Sequence, residues 1–214
     1  MFNGLKRCTG VLAFTFVVGG CTSLGPSADD CSCATEAARK KAPELSAERL
    51  LLSEGYSIMY RDASTIKRSE LILYVKTESD QVDAIVTAVA ELGGDVKEQL
   101  ERIDRDYPGV RIDLDPLPEM EKRKRWAVGE TKARDFAPGA GSSQREYERT
   151  VLIALTNGIN HQRHMCKVMA EAETDAGLKK FLLDTEKRYD TLYDRTMKLL
   201  ETGYFSDPDG KSNN

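Results

Sequence analysis

The stretch that most constrains this chain is Ser143 to Ala172. Tyr147, Val151, Ala154, Gly158, His161, Met165, Val168 and Ala172 recur there at steps of three and four, the signature of one face of a long α-helix. Leu152, Leu155, Ile159, Cys166 and Met169 widen that face well beyond a narrow seam. A helix apolar over so much of its circumference must be buried among several others. The chain therefore needs at least two or three more long amphipathic helices, and they are legible on both sides.

Upstream, Leu45, Leu52, Met59, Ile66 and Leu73 repeat every seven residues, with Tyr56, Ala63 and Glu70 between them. This predicts a helix of about thirty residues from Ser46, one seam long, broadened by Leu51, Ile58 and Ile72. Leu71 to Val75 is β-prone and is the one place where a strand competes. The unbroken repeat favours helix. Val82, Val89, Val96 and Ile103 repeat by seven in a second segment, with Ile85, Val86, Leu92 and Leu100 beside them. It runs from a cap at Ser79 to Asp106 and is ended by Tyr107-Pro108-Gly109. Gly93-Gly94 lies within it, as a break or as a point where another backbone comes close. Val110, Ile112 and Leu114 then alternate with charged residues as an extended stretch, and Glu119 to Asp135 reads as a shorter, polar helix. After the linker of residues 136–141 and the central helix, a break at Thr174 to Gly177 leads into a last helix. It buries Leu178, Phe181, Leu182, Tyr189, Leu192, Thr196, Leu199 and Leu200, and Gly203 closes it.

The expected fold is all-α: a four-helix bundle of two long antiparallel hairpins, joined by a long crossover that contains a short helix. In layout this is loosely similar to ferritin-like proteins.

The amino terminus is of another kind. Lys6 and Arg7 precede the apolar run Val11 to Val18, which is too short to span a bilayer and has the form of a secretory signal. It closes on Val18-Gly19-Gly20-Cys21, an aliphatic residue, two small residues and cysteine. This resembles the lipobox of bacterial lipoproteins. The resemblance covers the first tenth of the chain and implies a diacylglyceryl group on Cys21, cleavage before it and acylation of the new amino terminus. Several acyl chains anchor stably, since each buried methylene contributes about 0.8 kcal/mol. Residue 22 is Thr rather than the Asp that often marks inner-membrane retention, so the resemblance implies the outer membrane, facing the periplasm. The expected organisation is a signal peptide at 1–20, a lipidated tether at 21–43, a helical bundle at 44–205 and a disordered tail at 206–214.

Removing Lys6 and Arg7 from 31 basic residues leaves 29 against 35 acidic ones, a net charge of −6. An acidic exported body excludes nucleic acid as a partner. Once Cys8 is cleaved off and Cys21 lipidated, three of the five cysteines remain. An odd number rules out a full disulfide framework. Cys31 and Cys33 fall in the tether, and Cys166 reads as a small buried apolar residue.

The chain carries no nucleophile elbow, no Ser-His-Asp signature and no phosphate loop, so no catalytic residue is assigned and no cofactor is expected. His161 and His164, at i, i+3 on the central helix, are the candidate metal ligands. A ferritin-like di-iron site needs Glu-x-x-His on two helices, and position 158 is Gly. The leading expectation is therefore a core His161 that fills space, with His164 nearer the edge. Lys122, Arg123, Lys124 and Arg125 are a candidate basic surface for phospholipid head groups, an acidic envelope polymer or an acidic protein. The leading expectation is instead a solvated face with Trp126 turned inward. The expected function is an envelope-anchored structural or protein-interaction module, attached to the membrane through Cys21 and meeting an envelope protein or the cell wall. The alternatives are a metal-binding or metal-dependent envelope protein using His161 and His164, and a carrier for a small apolar ligand.

Overall fold

A computed structural model describes residues 45–69, 79–135 and 143–205. The lipobox, Cys31, Cys33, Glu70, the β-prone residues 71–75, the linker and the tail lie outside the described residues. Within them all the regular structure is helical, with no strand: α1 (Ala47–Lys67), α2 (Asp80–Asp106), α3 (Glu119–Asp135), α4 (Gln144–Ala172) and α5 (Ala176–Leu199). None of these helices is long and apolar enough to cross a membrane.

The core is a helical bundle. α4 packs along α5, and α1 along α2. α1 also meets α4, while α2 meets α4 and α5. The seven-residue repeats decide this. Leu52, Tyr56, Met59 and Ala63 of α1 are buried together with Val82, Ile85, Val86, Val89, Leu92, Val96, Leu100 and Ile103 of α2. Leu178, Leu182, Tyr189 and Leu192 supply the face of α5. The expected alternation at 110–114 is present without a sheet: Val110 is buried, and Ser57 Oγ receives the Leu114 N–H at 3.2 Å and donates to the Arg111 carbonyl at 3.1 Å. The segment is thus stitched to α1 by hydrogen bonds to its serines, as Ser53 also shows with Gly109 and Arg111.

Several ends differ from the sequence expectation. α1 stops at Lys67, where Arg68 turns back on Thr65 and Ile66, so it is 21 residues long and not thirty. Ser79 holds the N-cap position of α2 without a side-chain cap bond. Its backbone N–H donates instead to Glu148 Oε1 at 2.6 Å. Gly93 does not break α2. A Cβ there would lie 2.7 Å from Ile66 Cγ2 and 2.7 Å from the Lys67 backbone nitrogen, so the missing side chain is what lets α1 come this close. Gly177 lies inside α5, capped by Asp175, whose Oδ1 accepts the Leu178 N–H at 2.9 Å. Gly203 does not end the last helix. The chain continues through it as a π-helical turn, Leu200–Phe205, whose Tyr204 hydroxyl donates to Glu148 Oε2 at 2.5 Å. Ser143 caps α4 with a reciprocal capping box to Glu146.

Candidate functional site

The central helix is rotated relative to the seam read from its sequence. Its buried residues are Tyr147, Glu148, Val151, Leu152, Leu155, Ile159, Gln162, Cys166, Met169 and Ala170. His161 and His164 are exposed, and Val168 is 62% exposed. His161 is therefore not a core residue. One position further on, Gln162 points inward and is 1% exposed. The shift of one residue turns the expected seam by about 100°, because an α-helix has 3.6 residues per turn. What looked like the seam is a flank, and it forms one wall of an open groove.

That groove runs between α1 and α4, with α3 at one end. Ile58, Met165 and Val168 are its apolar side. Asp62, Arg125, Asn160, Gln162, His161 and His164 are its polar side. Gln162 Nε2 donates to Asp62 Oδ2 at 2.9 Å, and Arg125 Nη1 reaches Asp62 Oδ1 at 3.0 Å. Burial pushes the Asp62 carboxyl up from its ordinary range, against the opposing pull of Arg125. The other end of the Gln162 amide, Oε1, is buried and makes no hydrogen bond, and the same holds for the hydroxyl of Tyr189. Among the described residues no group of three or more His, Cys, Asp or Glu is placed to hold a metal ion. The groove thus brings His161 and His164 together without the carboxylates that a di-iron centre needs.

Two buried carboxylates tie the bundle at its ends. Glu173, between α4 and α5, accepts Arg49 Nη1 at 2.8 Å and Nη2 at 2.7 Å, the Tyr56 hydroxyl at 3.0 Å and the Asp175 N–H at 2.9 Å. Burial opposes its ionisation, but Arg49 and the two other donors outweigh that and hold it below the usual carboxylate range. Glu148 accepts Ser79, Gln144 and Tyr204. Its pKa is lowered in the same way, the donors prevailing over burial, while burial and Glu148 together push Tyr204 up to about 12. Glu173 takes four hydrogen bonds, which fills its acceptor positions, and Glu148 takes three, so both are engaged by their own chain in the manner of a staple. The sequence showed Glu148 only as a charge near the start of a helix, and Glu173 not at all.

The four basic residues Lys122 to Arg125 of α3 are each met by a carboxylate. Lys122 pairs with Asp115 at 2.5 Å, Arg123 with Glu119 at 3.2 Å, Lys124 with Glu121 at 2.6 Å, and Arg125 with both Asp62 and Glu121. The run of positive charge is therefore locally balanced, and its field falls off within a few ångströms. Trp126 is not turned inward: it is 69% exposed, with Met120 and Val128 also exposed. α3 has no close backbone packing with any other described helix. It is held by the Arg125–Asp62 and Lys122–Asp115 pairs, and none of its side chains from Glu119 to Thr131 is buried. No family model, no curated protein and no solved structure matches the chain.

Proposed function

We propose that this chain is a lipoprotein of the bacterial envelope, anchored through Cys21 and facing the periplasm from the outer membrane, and that its body is a protein-interaction module. The four long helices are read as two antiparallel hairpins, α1–α2 and α4–α5, with residues 107–143 crossing between them. Tyr60 bonding to Glu101 while Ala63 and Ile66 face Gly93 supports opposite directions for α1 and α2. The observation that carries the interaction reading is α3. From Glu119 to Thr131 this helix buries no side chain in the core, yet it presents Met120, Trp126 and Val128 to solvent. Tryptophan is enriched where proteins bind one another and is costly to leave in water. Because Lys122 to Arg125 are neutralised within the chain, a protein with an apolar pocket suits α3 better than an anionic polymer or head group.

Two measurements test this. Cys21→Ser abolishes acyl labelling of the protein; unchanged labelling removes the anchor from the proposal. A photocrosslinking amino acid at Val128, in intact envelopes, gives a discrete adduct that is lost on Trp126→Ser. The same group at Leu183, exposed on α5, gives none. Equal adducts at both positions, or persistence in Trp126→Ser, refute α3 as the contact.

A further inference from the structure

The groove between α1 and α4 gathers the chain's two histidines and Met165 on one helical turn. His161, His164 and Met165 stand at i, i+3 and i+4, spacings that put side-chain origins on the order of 5–6 Å apart on a helix surface. An ion between them lies within reach of two imidazole nitrogens and one thioether sulfur. Both rings are exposed and free to turn toward it. Met165 is partly buried and packed against the core, so its position is set by the bundle. Ile58 and Val168 flank it with apolar surface.

The donor set selects the ion. A structural zinc site needs four ligands from His, Cys and carboxylates, and iron and manganese prefer carboxylate-rich sets. Asp62, the carboxylate in the groove, is already bonded to Arg125 and Gln162. Imidazole and thioether together are a soft set that favours Cu(I), a d10 ion content with few ligands. We propose that His161, His164 and Met165 form a surface site for a soft monovalent cation, Cu(I), for which Ag(I) is a redox-inert probe.

With two histidines in the whole chain, the test has a simple readout. Ag(I) is titrated into the full-length protein in detergent, with accessible thiols capped by N-ethylmaleimide, and the imidazole NMR signals are followed. One equivalent is expected to shift both histidines and one methionine methyl together. His161→Ala, His164→Ala and Met165→Leu are each expected to weaken binding at least tenfold while the helical circular dichroism stays unchanged. Met165→Leu removes the sulfur while keeping the volume. Movement of a single histidine, wild-type affinity in Met165→Leu, or equal competition by Zn(II) would overturn the site. So would loss of binding in a Cys166→Ala variant that keeps its helical spectrum, because the ion would then be seated on that thiol.

Discussion

Glu173→Ala should be among the most damaging single changes in the bundle. The carboxylate side chain is fully buried and receives four hydrogen bonds from three residues, Arg49 and Tyr56 on α1 and Asp175 at the start of α5. Its removal leaves the Tyr56 hydroxyl without its acceptor in a residue that is 0% exposed, and Arg49 without its carboxylate. A buried polar group stranded in this way costs about 1–3 kcal/mol, and breaking a buried ion pair on the order of 3–5 kcal/mol. The Arg49 side chain keeps 21% of its surface in water, so the lower end applies, about 3 kcal/mol in all. For a domain of this size 1 kcal/mol moves the melting temperature by roughly 2–4 °C, which places the expected drop at roughly 6–12 °C. Thermal denaturation followed by circular dichroism measures it, with Asp190→Ala as the control. Asp190 pairs with Arg163 but is 46% exposed, and such a pair is worth about 0–1 kcal/mol. The pH dependence follows the same logic. The folded pKa of Glu173 lies below its unfolded value, near 4.3 for a free glutamate. The stabilisation is therefore complete above that value and is lost as pH falls through the folded pKa. Glu173→Gln should flatten this acid limb. If Glu173→Ala costs no more than Asp190→Ala, or if Glu173→Gln leaves the acid limb unchanged, the staple is not what holds this end together.

Other substitutions probe other features. Gly93→Ala should destabilise by about 1–3 kcal/mol, because the new methyl meets the backbone of Lys67, whereas Gly94→Ala, which meets only the aliphatic chain of Lys67, should be neutral or stabilising by up to about 1 kcal/mol in chemical denaturation. Cys166 is fully buried and its thiol is pushed up to about 12, chiefly by burial, so alkylation of the native protein should spare it and proceed only on unfolding. His161→Ala and His164→Ala should each shift metal-free stability by less than about 0.5 kcal/mol, as surface changes do, and a loss of several kcal/mol would return His161 to the core. Tyr204→Phe, which removes one hydrogen bond to Glu148, should cost about 1 kcal/mol near neutral pH, and the difference from wild type should shrink as acid protonates Glu148.

Helix positions were readable wherever the face is uniformly apolar. α2 is the clear case: all eight of the residues named from its repeat are buried. α4 was readable as a helix but not in its rotation. Its inward face carries a glutamine at its centre, while its outward flank carries His161, Met165 and Val168, so a count of apolar residues points to the wrong side by one position. Gln162 is one of the polar members of the core, and Asp62 on α1 accepts its amide. Such pairs join residues a hundred positions apart and leave no trace in local periodicity. The same holds for Glu173 with Arg49, and for the carboxylates that neutralise α3, since Asp62 and Asp115 come from outside that helix. The end of α1 was lost for the opposite reason. The seven-residue repeat carries on past Lys67, but at Arg68 and Ser69 the backbone tightens out of the α-helix.

The way α3 is attached bears on how this protein can change over generations. Opening that helix away from the body breaks the Lys122–Asp115 and Arg125–Asp62 pairs but withdraws no side chain of Glu119 to Thr131 from the core, so its local unfolding should cost far less than that of α2 or α4, and its amides should exchange early. Substitutions there are accordingly almost free of folding consequences. The core residues of α2 and α5 are bound to one another by volume, whereas Met120, Trp126 and Val128 answer only to whatever they touch in solution. A lineage could exchange that surface for another, and with it one partner for another, while the body beneath stayed the same.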